Sequence, residues 1–343
     1  MSDHPAVVLA LPPDLVGDLL PADLRARLDR TATWDPAVNL QAGPAPAALA
    51  RAEVLLTGWG CPTIDAEFLA GAPRLRAVVH AAGSVKGHVT DAVYAAGILV
   101  SSAAEANARP VAEYTLAALV LAAKRAFGAA RDLRNGHDGH RHAPGEATGL
   151  TGCVVGVVGA SRVGRLVIAM LADYGVEVLV ADPYADPAEF RAAPPGGGGA
   201  AGGGGATLVD LDTLCRRSDI VTVHAPSLPE THHLLDARRL DLLRDGAVVI
   251  NTARGALIDT AALTRHCAAG RLDAVLDVTD PEPLPLDHPL LVLPNVLVTP
   301  HIAGVRGREL RLLGAYAVAD IERYAAGLPL RGAVRHADLA RMA

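Results

Sequence analysis

Three short segments in the second half of the chain carry side chains suited to acid–base chemistry and anion binding. Arg254 lies in 251–255, Glu282 in 280–285 and His301 in 299–304, and a predicted strand precedes each segment. In an open parallel sheet, the loops beyond the carboxyl ends of the strands meet at one crevice. The three side chains could therefore share a site. Taken singly, each also fits a structural role as a surface ion-pair partner, a turn residue or a buried histidine.

A glycine-rich turn earlier in the chain predicts a phosphate-binding site. The apolar run 154–158 predicts a strand, and the turn that follows it, from Gly159 to Gly164, leads into a helix predicted from about Arg165 to Tyr174. The pattern is G-x-S-x-x-G, so the first and last glycines of the dinucleotide-binding fingerprint are present and Ser161 replaces the middle one. Ser161 would either crowd a phosphate slightly or donate a hydroxyl hydrogen bond to it.

An acidic residue at the end of the next predicted strand indicates which dinucleotide this site prefers. Asp182 lies eighteen residues beyond Gly164, where a carboxylate can accept hydrogen bonds from the ribose hydroxyls and repel a 2′-phosphate. The combination favours NAD over NADP. The alternative is that Asp182 only caps the turn formed with Pro183 and Tyr184.

Strands and helices alternate along the chain in a way that places these loops. Short apolar runs predict strands separated by helical patterns, and such alternation predicts parallel sheets with helical crossovers. Pro110 is predicted to open an amphipathic helix over 111–124. The polar stretch 131–149 then marks a boundary between two α/β units. The strands of the first unit are predicted at 7–10, 54–56, 75–80 and 98–101, and those of the second at 154–158, 176–181, 220–224, 247–251, 272–278 and 296–299.

Composition excludes several other classes of protein. The chain has 343 residues, 51% of them hydrophobic, with 31 Lys and Arg against 37 Asp and Glu, a formal charge of −6. An acidic balance argues against nucleic-acid binding, and the longest apolar run is too short to span a membrane. The four cysteines are dispersed and the N-terminus does not resemble a secretory signal, so we expect a cytoplasmic protein.

The motifs together resemble those of the D-isomer-specific 2-hydroxyacid dehydrogenases, which include glyoxylate/hydroxypyruvate reductases and phosphoglycerate dehydrogenases. The likeness runs from about residue 74 to 304. It includes the segments 107–113, 159–164 and 224–231 as well as Arg254, Glu282 and His301 in their local motifs.

The resemblance implies a two-domain α/β fold, in which a Rossmann NAD-binding domain (105–304) is inserted into a flavodoxin-like substrate domain (1–104 plus 305–343). The active site would lie in the cleft between them. It also implies a homodimer formed through the NAD-binding domains, with the helix from Val111 as a contributor.

The resemblance also implies roles for individual residues. His301 would be the acid–base group of hydride transfer to a 2-keto acid, Glu282 would stabilise its protonated ring and fix its tautomer, and Arg254 would bind the substrate carboxylate or polarise the carbonyl. The substrate carboxylate would also be bound by Ser84 and Val85. The residues expected to bind the cofactor are Gly159, Ser161, Arg162, Val163, Gly164, Asp182, His224, Ala225, Pro226, Thr231, Thr252, Ala253 and Asp277.

A few features fit other interpretations, and we expect no metal site. A hydrated loop explains His137, His140 and His142 with Asp138 better than a zinc or nickel site, and packing at the surface or against the cofactor edge suffices for the pair 232–233. The segment 194–205, PPGGGGAAGGGG, is interpreted as an inserted linker. A non-catalytic NAD(H)-sensing corepressor is the alternative to an enzyme, because such a protein shares this fold and these residues.

Overall fold

The computed structural model describes residues 4–136, 149–190 and 205–339. The histidine cluster 137–142 and all but the last residue of the glycine-rich segment 194–205 lie outside these ranges.

The strands are β1 (Val7–Ala10), β2 (Val54–Thr57), β3 (Ala77–His80), β4 (Leu99–Ser102), β5 (Val154–Val158), β6 (Glu177–Ala181), β7 (Thr207–Leu208), β8 (Ile220–Val223), β9 (Val248–Asn251), β10 (Asp273–Leu276) and β11 (Val296–Val298). The helices are α1 (Val16–Leu19), α2 (Ala22–Thr31), α3 (Pro46–Leu49), α4 (Ala66–Ala70), α5 (Asp91–Ala95), α6 (Ala104–Ala123), α7 (Ala126–Arg134), α8 (Arg162–Leu171), α9 (Leu211–Arg217), α10 (Ala237–Leu242), α11 (Thr260–Ala268), α12 (Leu310–Ala325) and α13 (His336–Leu339).

These elements form two compact units. The first contains the described residues up to Pro110 and those from Val305 onward, and the second runs from Val111 to Gly304. The chain thus leaves the first unit and later returns to it.

The first unit is built on a parallel sheet in the order β1-β2-β3-β4. On the other side of β1, parallel bridges join Ala6 to Thr33 and Leu9 to Asn39. With this extended segment counted as the second strand, the order along the chain is 2-1-3-4-5, which is that of flavodoxin-like folds. Strands β1, β2 and β3 are buried on both faces, in keeping with their mainly apolar sequences.

The second unit is built on a seven-stranded parallel sheet in the order β11-β10-β9-β8-β5-β6-β7. Counted within the unit, this is 3-2-1-4-5-6-7, the doubly wound order of dinucleotide-binding domains. The strand order reverses between β5 and β8, so the loops after these two strands border the crevice where ligands bind in such sheets. The two sheets confirm the predicted fold class. Strand β7 has only two residues and shows no period from which it could be predicted.

Two helices differ from their predicted limits. Helix α6 begins at Ala104, so Pro110 lies inside it and does not open it. The proline removes one N–H from the helical hydrogen bonds, and the prediction was wrong because it assumed that a proline marks the first turn. Helix α8 begins at Arg162, three residues earlier than predicted, because Ser161 caps it. In the described part of the chain, no helix combines the length and hydropathy that crossing a membrane requires.

Candidate active site

The two glycines of the turn after β5 are required by close contacts between backbones. Gly159 has φ +96°, and a Cβ atom there would lie 2.6 Å from the backbone nitrogen of Ala225. At Gly164, a Cβ atom would lie 2.1 Å from the carbonyl oxygen of Gly159. The first glycine therefore allows the turn to approach the loop after β8, and the last allows α8 to pack against β5.

Ser161, which replaces the middle glycine, is the N-cap of α8. Its Oγ accepts a hydrogen bond from the Gly164 N–H at 3.3 Å, and its own proton remains for another acceptor. Arg162 and Val163 form the first turn of α8. The N–H groups at a helix N-terminus and the helix dipole favour an anion, so this end of α8 suits a phosphate group.

Asp182 connects the loop after β6 to the glycine-rich turn. One carboxylate oxygen accepts from the Ala160 N–H at 2.7 Å and the other accepts from the Tyr184 N–H at 2.8 Å. The turn-capping contact is therefore present, together with a contact that the sequence did not indicate. Asp182 also lines a cavity of about 830 Å³ on this side of the unit. Other predicted cofactor residues in the cavity wall are Gly159, Ala225, Pro226 and Thr231.

The loop after β8 is fixed from within. Thr231 Oγ1 donates to the Pro226 carbonyl at 2.7 Å and accepts from the Leu228 N–H at 2.8 Å. His224 is buried, its Nε2 lies 2.9 Å from Thr222 Oγ1, and burial lowers its pKa to about 3. The ring of His224 is therefore neutral at physiological pH and belongs to the core below the loop.

The segment after β9 holds Arg254 through a side chain that the sequence analysis did not single out. Asn251 accepts from the Ala253 N–H at 3.0 Å and donates to the Arg254 carbonyl at 2.9 Å. Thr252 is buried, and its Oγ1 lies 2.9 Å from Thr115 Oγ1 of α6. The position of Asn251 at the end of a strand in the same motif was the signal that could have identified it.

Arg254 is largely withdrawn from water. Burial lowers the pKa of its guanidinium, and the negative charge of Glu282 acts in the opposite direction. Since arginine stays protonated throughout the working range of pH, Arg254 remains a partly desolvated cation near a carboxylate. Its Nη1 donates to the Ala253 carbonyl at 2.6 Å.

His301 and Glu282 are brought into direct contact. Nδ1 of His301 lies 2.6 Å from Oε1 of Glu282, and about half of each side chain remains exposed. His301 has φ +53°, a left-handed conformation that is uncommon outside glycine, although asparagine, aspartate and histidine adopt it more often than other residues. A non-glycine residue held in this conformation needs support from its surroundings.

Asp277 supplies that support. This buried carboxylate accepts from Thr299 Oγ1 at 2.7 Å, from the Ile302 N–H at 2.8 Å and from the Ala303 N–H at 2.8 Å. The Asp277 carbonyl accepts from the His301 N–H at 2.8 Å. Predicted as a cofactor ligand, Asp277 is bonded in this structure to the loop that carries His301.

In the first unit, Ser84 and Val85 lie in the loop after β3. The Val85 side chain is fully buried, so only its backbone is available to a ligand, and Ser84 is partly exposed. Below this loop the rings of His80 and His88 lie 4.4 Å apart, and burial is the main cause that lowers their pKa values to about 3 and about 4. The sequence analysis did not single out either histidine.

Known proteins resemble the chain in sequence and in structure. Residues 116–303 match the family model described as "D-isomer specific 2-hydroxyacid dehydrogenase, NAD binding domain". The D-3-phosphoglycerate dehydrogenase of Mycobacterium bovis is 39% identical over 257 residues, which are 75% of this chain and 46% of that protein. The glyoxylate/hydroxypyruvate reductase B of Pectobacterium atrosepticum is 33% identical, over 87% of this chain and 90% of that protein.

Among solved structures, a D-isomer specific 2-hydroxyacid dehydrogenase from Xanthobacter autotrophicus Py2, in complex with NADPH and MES, has a TM-score of 0.72 at 26% identity. The match covers 97% of this chain and 98% of that one. The chain therefore spans less than half the length of the mycobacterial relative but nearly the whole length of the reductase and of the solved structure.

Proposed function

Because the chain belongs to the D-isomer specific 2-hydroxyacid dehydrogenase family, as its motifs predicted, we propose that it is an NAD-dependent dehydrogenase of D-2-hydroxy acids that works as a 2-keto acid reductase. One observation carries the proposal: the 2.6 Å contact between His301 Nδ1 and Glu282 Oε1 on two loops that are distant in sequence. An imidazole fixed in this way, and half exposed, is suited to exchange a proton with a bound substrate.

The contact assigns the two ring nitrogens of His301 to different tasks. An ionised Glu282 can only accept a hydrogen bond, so the proton of this contact resides on Nδ1. Nε2 is then the atom that gives a proton to the carbonyl oxygen of a keto acid, or takes one from a hydroxy acid in the reverse direction. The bound nicotinamide supplies or receives the hydride.

Arg254 binds and polarises the substrate in this proposal. A keto acid brings a carboxylate and a carbonyl oxygen, and the planar guanidinium can donate two hydrogen bonds to such groups. Its partial burial strengthens this attraction, since fewer water molecules compete for the charge. We assign the backbone at Ser84 and Val85 to the substrate carboxylate as well.

The residues around the glycine-rich turn suit NAD. The capped N-terminus of α8, beside the close approach of backbones at Gly159, can receive the pyrophosphate, and we assign Asp182 in the wall of the 830 Å³ cavity to the ribose hydroxyls. The negative charge of Asp182 would repel the 2′-phosphate of NADP, so we propose a preference for NAD.

Replacement of His301 tests the proposal. Wild-type protein should oxidise NADH, followed by its absorbance, with at least one of glyoxylate, hydroxypyruvate and phenylpyruvate. His301→Asn keeps a residue that tolerates the left-handed backbone and should lower kcat at least 100-fold, while the NADH dissociation constant stays within about threefold. His288→Asn is a matched control and should keep full activity. Tight NADH binding by an inactive wild-type protein would refute the enzyme and favour an NAD(H) sensor.

We also propose that the protein is a cytoplasmic homodimer. Support for a dimer comes from two exposed apolar residues of the second unit: Leu133 and Val292 are 65% and 73% exposed, and the hydrogen bond from Arg131 of α7 to the Val292 carbonyl, at 2.9 Å, links the two segments that carry them. Exposed apolar groups of this kind favour an interface between copies. Light scattering on the protein as it elutes from a size-exclusion column should give twice the mass of one chain. A monomer at micromolar concentration would contradict this proposal.

A further inference from the structure

Three side chains of the types that bind metal ions lie close together near the candidate site and have no role in the proposed hydride transfer. One ring nitrogen each of His232 and His233 and one carboxylate oxygen of Asp280 lie within 4.8 Å of one another. We propose that these three residues form a binding site for a divalent transition-metal ion of the zinc, cobalt and nickel type.

The backbone holds the two parts of the site at fixed positions. The His233 N–H donates to the Ala256 carbonyl at 2.8 Å, and two residues further along each segment a parallel bridge joins Leu235 to Ile258. Gly255, the residue before Ala256, lies so close to the loop after β10 that a Cβ atom on it would be 2.6 Å from the backbone nitrogen of Asp280. Two successive residues, 255 and 256, therefore position both His233 and Asp280.

The two imidazoles are oriented alike. Their ring centroids lie 3.9 Å apart with 24° between the ring planes, and His233 has φ +50°. In this conformation two neighbours in sequence, whose side chains would diverge on an extended strand, bring their rings together. The Asp280 side chain completes a set of two imidazole nitrogens and one carboxylate oxygen.

The donor set determines which ions suit the site. Imidazole and carboxylate together favour Zn²⁺, Co²⁺ and Ni²⁺, whereas Mg²⁺ and Ca²⁺ prefer oxygen donors alone. Metal–ligand bonds of about 2.0–2.1 Å place tetrahedral ligands about 3.4 Å apart, so the side chains must close by up to about 1.4 Å. His232 and Asp280 are exposed and His233 is half-buried, so side-chain rotation can achieve this and water can fill the remaining position.

The test uses the full chain without a polyhistidine tag, treated first with a chelator. Titration with Co²⁺, followed by its visible absorption, and with Zn²⁺, followed by calorimetry, should show one equivalent bound per chain. His232→Asn and Asp280→Asn should each weaken that binding at least tenfold, and so should His233→Asn, in which asparagine suits the left-handed backbone. His336→Gln is the matched control, since His336 is an exposed histidine in contact with Asp91, at 2.8 Å, and should leave binding unchanged.

Histidines outside the described residues provide the decisive comparison. The triple variant His137→Gln, His140→Gln, His142→Gln should keep the full equivalent of bound metal. Loss of the binding in that variant, or binding within twofold of wild type in both His232→Asn and Asp280→Asn, would overturn the proposal. Thermal unfolding of each variant without metal confirms that it is folded, and metal should raise the melting temperature of wild type by more than that of Asp280→Asn.

Discussion

The replacement Asp277→Asn tests whether the loop carrying His301 is positioned by a buried carboxylate. One oxygen of Asp277 accepts from Thr299 Oγ1 and from the Ile302 N–H, and the other accepts from the Ala303 N–H. An asparagine has one acceptor oxygen and one NH₂ donor. Whichever way the amide turns, one of the two backbone N–H groups faces a donor and loses its partner.

The size of the effect follows from this count. A buried N–H without an acceptor costs about 1–3 kcal/mol, and the remaining hydrogen bonds weaken because their acceptor is no longer charged. We therefore expect about 3 kcal/mol less stabilisation of the loop in its active conformation. At 1.36 kcal/mol for each factor of ten, kcat for keto-acid reduction should fall about 160-fold if the whole loss of stabilisation raises the activation barrier. The free energy of unfolding should fall less, by about 1–3 kcal/mol, since a neutral amide costs less to bury than a carboxylate.

The assay combines steady-state kinetics with urea unfolding. The NADH dissociation constant separates two roles of Asp277, because it should stay within about threefold if the residue only holds the loop and should rise further if it also binds the cofactor. Asp273→Asn is the matched control, since it neutralises the carboxylate at the start of β10, the strand that Asp277 follows, and that carboxylate pairs with Arg125. A kcat for Asp277→Asn within twofold of wild type would refute the positioning argument.

Two further predictions concern cofactor choice and pH. Asp182→Ala should raise the NADPH-to-NADH ratio of kcat/KM at least tenfold and should lower kcat/KM with NADH, because the Ala160 N–H loses its acceptor. Asp186→Ala removes a nearby exposed carboxylate and should leave the ratio unchanged, and an unchanged ratio in Asp182→Ala would contradict the assignment. Burial lowers the pKa of His224 to about 3, against about 6.5 in the unfolded chain, so the unfolded state binds more protons between these values and stability falls as pH falls below 6.5. Between pH 7.5 and 5.5, protonation of His224 in the unfolded chain lowers the free energy of unfolding by about 1.4 kcal/mol. The free energy of unfolding measured in urea should therefore fall by that much less in His224→Gln than in wild type, and equal decreases would contradict the argument.

Local sequence was sufficient where a single segment determines its own structure. Strand β5 and the turn from Gly159 to Gly164 follow from an apolar run and two glycines. The steric reason for Gly164 lies within this turn, in the carbonyl oxygen of Gly159, whereas the contact that requires Gly159 is with Ala225 after β8. The limits of α6 were predicted less well, because the proline rule describes an isolated helix end and neglects six residues that continue the helix before Pro110.

Other features depend on contacts between segments that are far apart in sequence. Neither the role of Asp277 below the loop of His301 nor the approach of Asp280 to His233 shows in any local pattern. The paired rings of His80 and His88 are a similar case, since it is mainly burial that lowers their pKa values.

The sequence by itself determined the order of strands and helices, the glycine-rich turn and the types of residue available for chemistry, because backbone sterics and hydrophobic periodicity act over a few residues. The tertiary structure decided which of those residues meet. Hydrogen bonding and desolvation of charge depend on distances of a few ångströms between loops. In this chain those distances are set by the order in which parallel strands lie side by side in the sheet.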